Sequence, residues 1–207
     1  MGPATISGRA LGAVLAVVAN APAMLPRRQP LHPRGRTRRA TWRVHAAWPE
    51  SGIAAFAAAG DTPVLARTSR AVGLPKPLPD FTGLALRFAD GGALLFASTG
   101  TGPFTRRLLA PRVPGAVDPL TTLLPLHCRL GAVDVGAQVR GDEVGILTSL
   151  DGGPWVDRAR VVLGGPADVV VRFDPLRPPV GLWWSDFWAA ARSPAYALAR
   201  RLTPGAP

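Results

Sequence analysis

The chain of 207 residues has one cysteine, one lysine, one asparagine, one tyrosine and three histidines. A lone Cys128 excludes an intramolecular disulfide and every cysteine-based metal cluster. His32, His45 and His127 would need carboxylate help to hold zinc. Also missing are a phosphate-cradling Gly-Lys-Ser/Thr loop, a nucleophile elbow, a His-Glu-x-x-His pair and a dinucleotide fingerprint. These absences remove the familiar hydrolase, kinase and dehydrogenase classes. Gly100-Thr101-Gly102 lacks the third glycine and the helix start that would aim N–H groups at an anion, so it reads as a turn.

What is present is an ordinary globular composition, 47% hydrophobic and 18% charged, which excludes intrinsic disorder. At this length the expectation is one domain spanning 1–207. The formal net charge of +11 rests almost entirely on arginine, since Lys76 is the only lysine. Such a balance raises nucleic acid as a partner. Two features argue against it: the Ala, Gly, Pro and Arg excess is what a GC-rich genome writes for neutral reasons, and only Trp42 of six tryptophans lies inside the densest basic run, Arg34 to Arg43.

Residues 1–25 carry an apolar stretch that predicts a docked amphipathic helix, with a secretory signal as the alternative; it is too short to span a bilayer. From 26 to 175 short apolar runs alternate with Gly, Pro and Asp, predicting strands at 41–47, 63–69, 83–89, 93–98, 128–139, 144–150, 157–163 and 168–173. Eight strands mean a closed barrel or a sandwich. Asp90-Gly91-Gly92 and Asp151-Gly152-Gly153 predict hairpin turns. Residues 104–126 read as a crossover. Over 180–203, Leu182, Trp183, Phe187, Ala191 and Leu198 recur at helical spacing, predicting helices broken at Pro194. The run Trp183-Trp184-Ser185-Asp186-Phe187-Trp188 reads as aromatic area packed on the barrel, with Asp186 accepting an indole N–H. The alternative is a membrane-interface helix with Arg192, Arg200 and Arg201 meeting anionic lipid.

Four short segments follow one another in a telling order: Leu31-His32-Pro33-Arg34-Gly35, then Thr62-Pro63-Val64-Leu65-Ala66-Arg67-Thr68-Ser69, then Asp80-Phe81-Thr82-Gly83-Leu84-Ala85-Leu86-Arg87-Phe88, then the Asp90-Gly91-Gly92 turn. This series resembles the barrel of the haem-dependent catalase-like superfamily. The resemblance implies an α+β chain built on an antiparallel eight-stranded β-barrel with N-terminal and C-terminal helices. It implies haem as cofactor and a weak peroxidase or hydroperoxide-processing activity. His32 matches the family's distal histidine and Ser69 the serine that orients it. Arg67 matches an arginine that pairs with a haem propionate, with Arg28 and Arg192 as further propionate partners. Tyr196 matches the tyrosine that ligates the iron. An imidazole near its reference pKa suits proton exchange with peroxide. Arg67 and Ser69, two apart in a strand, share one face.

The chain also departs from the family. Where the family has an asparagine that polarises peroxide, Gly100 stands here, and Gln29 occupies a propionate-arginine position. Pro194 falls inside the tyrosine helix, and Arg200 and Arg201 fall early. The family's wrapping segment is absent. A second functional class therefore stands beside the enzyme: a non-catalytic barrel that has lost haem and takes an apolar or lipid ligand, peripheral to the membrane. Similar short bacterial proteins are called catalase-like and, in places, phosphodiesterase; the second label expects paired metal-binding carboxylates or histidines, and the sequence has none. The location read from the sequence is cytoplasmic or membrane-peripheral.

Overall fold

The computed structural model describes residues 34–70, 78–113, 118–169, 171 and 173–190. Nine strands carry the chain: β1 Arg34–Val44, β2 Gly60–Arg70, β3 Thr82–Arg87, β4 Ala93–Ser98, β5 Asp118–Thr121, β6 Leu126–Cys128, β7 Gly131–Arg140, β8 Glu143–Leu150 and β9 Val156–Pro166. All pairings are antiparallel, and the ring runs β1-β2-β3-β4-β5-β7-β8-β9 and back to β1. β6 adds no ninth position, because β5 pairs with Gly136–Val139 and β6 with Gly131–Val133 on the same edge of β7. The result is a closed eight-stranded barrel, the arrangement that leaves no sheet edge to be capped.

Period-two alternation builds the interior. Ala40, Trp42 and Val44 of β1, Val64 and Ala66 of β2, Leu84 and Leu86 of β3, and Leu94 and Phe96 of β4 point inward and are buried. They meet Leu120, Val133, Val135, Ala137, Val144, Ile146, Ala159, Val161 and Leu163 from the other side in one apolar cluster. Trp42 lies at its centre, with ring centroids 5.2 Å from Phe56 and 5.0 Å from Phe88. Its indole N–H donates to the Ala55 carbonyl at 2.7 Å, so the one polar atom of the ring is satisfied. The β1–β2 connection supplies a plug for that end of the barrel, with 3-10 turns at Pro49–Ser51 and Ala54–Phe56 and fully buried Ile53 and Phe56.

Both expected hairpin turns form, using positive φ at Gly91 (82°) in one and at Asp151 (48°) and Gly152 (75°) in the other. Several expectations need correction. The run 128–139 is two strands, because Gly131 breaks it at φ 147° after a turn at Arg129 and Leu130. The stretch 104–126 is more than a crossover, since it contains β5 and the start of β6. Within 168–173, the described residues form no strand. The α+β expectation gives way to a described chain that is nearly all sheet. Residues 180–185 are not helical, and within the described part of 180–203 the α-helix covers 186–190. The expected N-terminal helix and residues 191–203 lie outside the described residues.

Residues 175–185 form a strap instead. Trp183 and His127 exchange backbone N–H···O bonds at 2.8 and 3.0 Å, giving β6 a partner on its free edge. Gly181, at φ 88°, lies against the Gly52 carbonyl so closely that any Cβ would overlap it. Trp184 donates its indole N–H to the Pro175 carbonyl at 2.9 Å, where the sequence had offered Asp186 as acceptor. Among the described residues no helix is long and apolar enough to cross a membrane.

Candidate functional site

The side chains of β1–β4 that do not point into the core define an outer wall. The strand register lines them up in rows: Gly35, Ser69, Gly83 and Ala97; then Thr37, Arg67, Ala85 and Leu95; then Arg39, Leu65, Arg87 and Ala93. Four strands at about 4.8 Å spacing make this floor about 14 Å wide. Seven of these twelve residues are glycine, alanine, serine or threonine, with the long side chains of Arg39, Leu65 and Arg87 gathered in the third row. Arg67 stands near the middle of the floor. The guanidinium of Arg67 lies across Gly35, where any Cβ would collide with it. Gly35 thus gives Arg67 a flat resting place that no other residue would.

Of the expected site residues, Arg67 and Ser69 are described, and the register puts both on this wall, half-buried and in adjacent rows. His32, Arg28, Arg192 and Tyr196 lie outside the described residues. Gly100 sits against Thr105, whose side chain occupies the space that any Cβ at 100 would need. No side chain fits there while Thr105 keeps its place.

Below the rows, Arg43 and Asp61 pair on the same wall through two hydrogen bonds at 2.9 and 2.8 Å. Hydrogen bonding from Arg43 holds the Asp61 carboxyl below its ordinary range, and the same contact raises the Arg43 guanidinium.

The opposite wall, over β5, β7 and β8, is finished differently. Residues 99–110 form a flap across it, pinned at its base where Ala110 donates to the Ser98 carbonyl at 2.8 Å. Arg106, only 4% exposed, reaches under the flap to Asp134 at 3.2 Å and to Ser149 Oγ at 2.8 Å. Arg107 meets the same Asp134 at 3.1 Å. The Trp155 ring lies 4.6 Å from the Arg106 guanidinium, and its indole N–H donates to the Thr101 carbonyl at 2.8 Å. Thr121 donates to the Arg106 carbonyl at 2.6 Å and accepts from Thr99 at 3.0 Å. A cleft of about 120 Å³ beside this cluster is lined by Thr101, Leu120, Gly136, Gln138, Leu147 and Trp155, among others. Sequence reasoning missed the cluster. Its one signal was Asp134, a lone acid inside an apolar strand run.

Among the described residues no three His, Cys, Asp or Glu side chains gather as a metal site. Among the described residues the barrel interior is filled by its own side chains. No protein-family model and no curated protein matches the chain.

Proposed function

We propose that the outer wall of β1–β4 is the binding face for a flat, carboxylate-bearing ligand, and that the ligand is haem. The observation that carries this reading is the small-residue row Gly35, Ser69, Gly83 and Ala97, with the Arg67 guanidinium laid across Gly35. Small side chains let a planar ring approach the sheet over a wide area, and the guanidinium fork suits a carboxylate at the ring's edge. The described residues fit such a group on one face; the iron ligand, Tyr196 by the family resemblance, is outside them. Haem, when bound, supplies the redox iron of peroxide chemistry.

The protein's own part follows from its residues. Arg67 orients the ligand through its carboxylate. By the family resemblance Ser69 would orient His32, three residues before Gly35 in the sequence, and His32 would take a proton from a hydroperoxide and return it to the departing oxygen. The resemblance's peroxide-polarising amide is not supplied at position 100, which is glycine with Thr105 filling the space beside it, so slow turnover of hydrogen peroxide is the expectation. The non-catalytic reading, an apolar or lipid ligand on the same wall, draws support from that same closed space.

The test is an absorbance spectrum of protein expressed with added haem. A Soret band that collapses in Tyr196→Phe and weakens in Arg67→Ala is the expected result. A folded, colourless protein in the presence of haem would sink the haem reading and leave the apolar-ligand barrel.

A further inference from the structure

The flap exposes large apolar side chains that its own structure does not need. Phe104 is 85% exposed and Leu108 61%, with Leu109, and with Val113 just beyond the flap, also more than half exposed. The Asp80–Arg112 bridge brings Leu78, likewise half exposed, to a neighbouring rung. A gathering of exposed apolar residues on this scale marks a contact surface. The flap is no loose loop: Gly100 donates to Thr105 at 3.0 Å, Gly102 to Thr105 Oγ1 at 3.0 Å, and the Arg106 side chain anchors it from beneath. Its apolar tips are therefore held out in water by a fixed scaffold.

Charge says what they meet. From Gly91 to Val117 the sequence has Arg106, Arg107 and Arg112 and no acidic residue. Asp80 and Asp134, the described carboxylates beside the segment, are both buried and both already paired, with Arg70 and with Arg106 and Arg107. Two guanidiniums share the single carboxylate of Asp134, which leaves positive charge in excess next to Phe104 and Leu108. The strap also exposes Val180 and Trp183, but its neighbours include Asp90, whose carboxylate accepts from the Val180 N–H, and Asp174 and Asp186, which flank it in the sequence.

We propose that the 99–110 flap, with Arg112 and Val113 just beyond it, is a docking surface for an anionic lipid bilayer. Phe104, Leu108 and Leu109 enter the headgroup layer, and the uncompensated positive charge of Arg106, Arg107 and Arg112 behind them attracts the anionic surface. The proposal stands independently of what the β1–β4 wall binds, and it moves membrane contact away from the tryptophan-rich strap.

The experiment is cosedimentation of the full chain with vesicles of equimolar phosphatidylglycerol and phosphatidylcholine, and with phosphatidylcholine alone. The wild type is expected to bind the anionic vesicles and to release in high salt. Phe104→Ser combined with Leu108→Ser should weaken binding at least about tenfold, because two exposed apolar anchors are lost. Trp183→Ser should bind as wild type does. Near-ultraviolet circular dichroism checks that each variant is folded. Wild type that ignores anionic vesicles, a double variant that binds undiminished, or loss of binding in Trp183→Ser would each overturn the proposal. So would a wild-type dimer that the double variant splits to monomers, since a second copy would then be what covers the flap.

Discussion

On the β1–β4 side of the barrel the outward positions hold Gly35, Ser69, Gly83 and Ala97, and on the β7–β8 side they hold Asp134, Gly136, Ser149 and Leu147. The inward alternation is the same on both sides, and the outer finish is opposite. Where a flap covers the sheet, the outward acid Asp134 is 6% exposed at its side chain and needs two arginines. On the β1–β4 wall the Arg43–Asp61 pair is about half exposed instead. One wall is thus committed to holding its own flap, and the other is finished in its first row by small side chains alone.

The sharpest way to break this contrast is Asp134→Ala. It leaves the Arg106 guanidinium buried without its counter-charge, and loss of one partner from a buried pair costs about 3–5 kcal/mol. Urea denaturation measures it, and a loss under about 1 kcal/mol would mean that the flap stands without the cluster. Gly35→Ala tests the other wall. The added methyl pushes only the flexible end of Arg67 aside, so stability should change by less than about 1 kcal/mol. Ligand affinity should fall about tenfold, as in Arg67→Ala, because a charge-assisted hydrogen bond is lost in both. Titration with haem reads this out, and an affinity unchanged in Gly35→Ala would remove Arg67 from the site.

The smallest expected effect belongs to Arg43 and Asp61, which lie on the exposed lower part of the β1–β2 wall. The Asp61 pKa is lowered in the folded chain by the hydrogen bond from Arg43, so its contribution is present above the ordinary carboxylate range and is lost as pH falls through the lowered value. Asp61→Asn should therefore narrow slightly the stability difference between neutral and strongly acidic pH. A thermal melt series across that range shows it, and added salt should shrink it.

Much of the barrel could be read from the sequence because its signals are local. Asp90-Gly91-Gly92 and Asp151-Gly152-Gly153 turn where glycine and aspartate reach positive φ cheaply, and the strands beside them alternate cleanly. The pairing of Arg67 with Ser69 on one face follows from strand period alone. What escaped depends on distant partners. β5 is four residues long and contains Pro119, and it is a strand because β4 and β7 both present it with hydrogen-bonding edges. Leu182, Trp183 and Phe187 have helical spacing, yet residues 180–185 run as a strap because the backbone of His127 offers the chain an edge to join. The Arg106 cluster joins residues 28 and 43 positions apart, beyond any local pattern.

The ring closes between β4 and β5 on only two residue pairs, Ala97 with Thr121 and Ser98 with Leu120, against eleven between β1 and β2. Such a short seam is where a barrel breathes. The hydroxyl link from Thr99 to Thr121, and from Thr121 to the backbone of Arg106, crosses that seam from the flap. The flap is therefore also the latch of the barrel: its release would let the cylinder unroll along a single line while the two meanders on either side kept their strands paired.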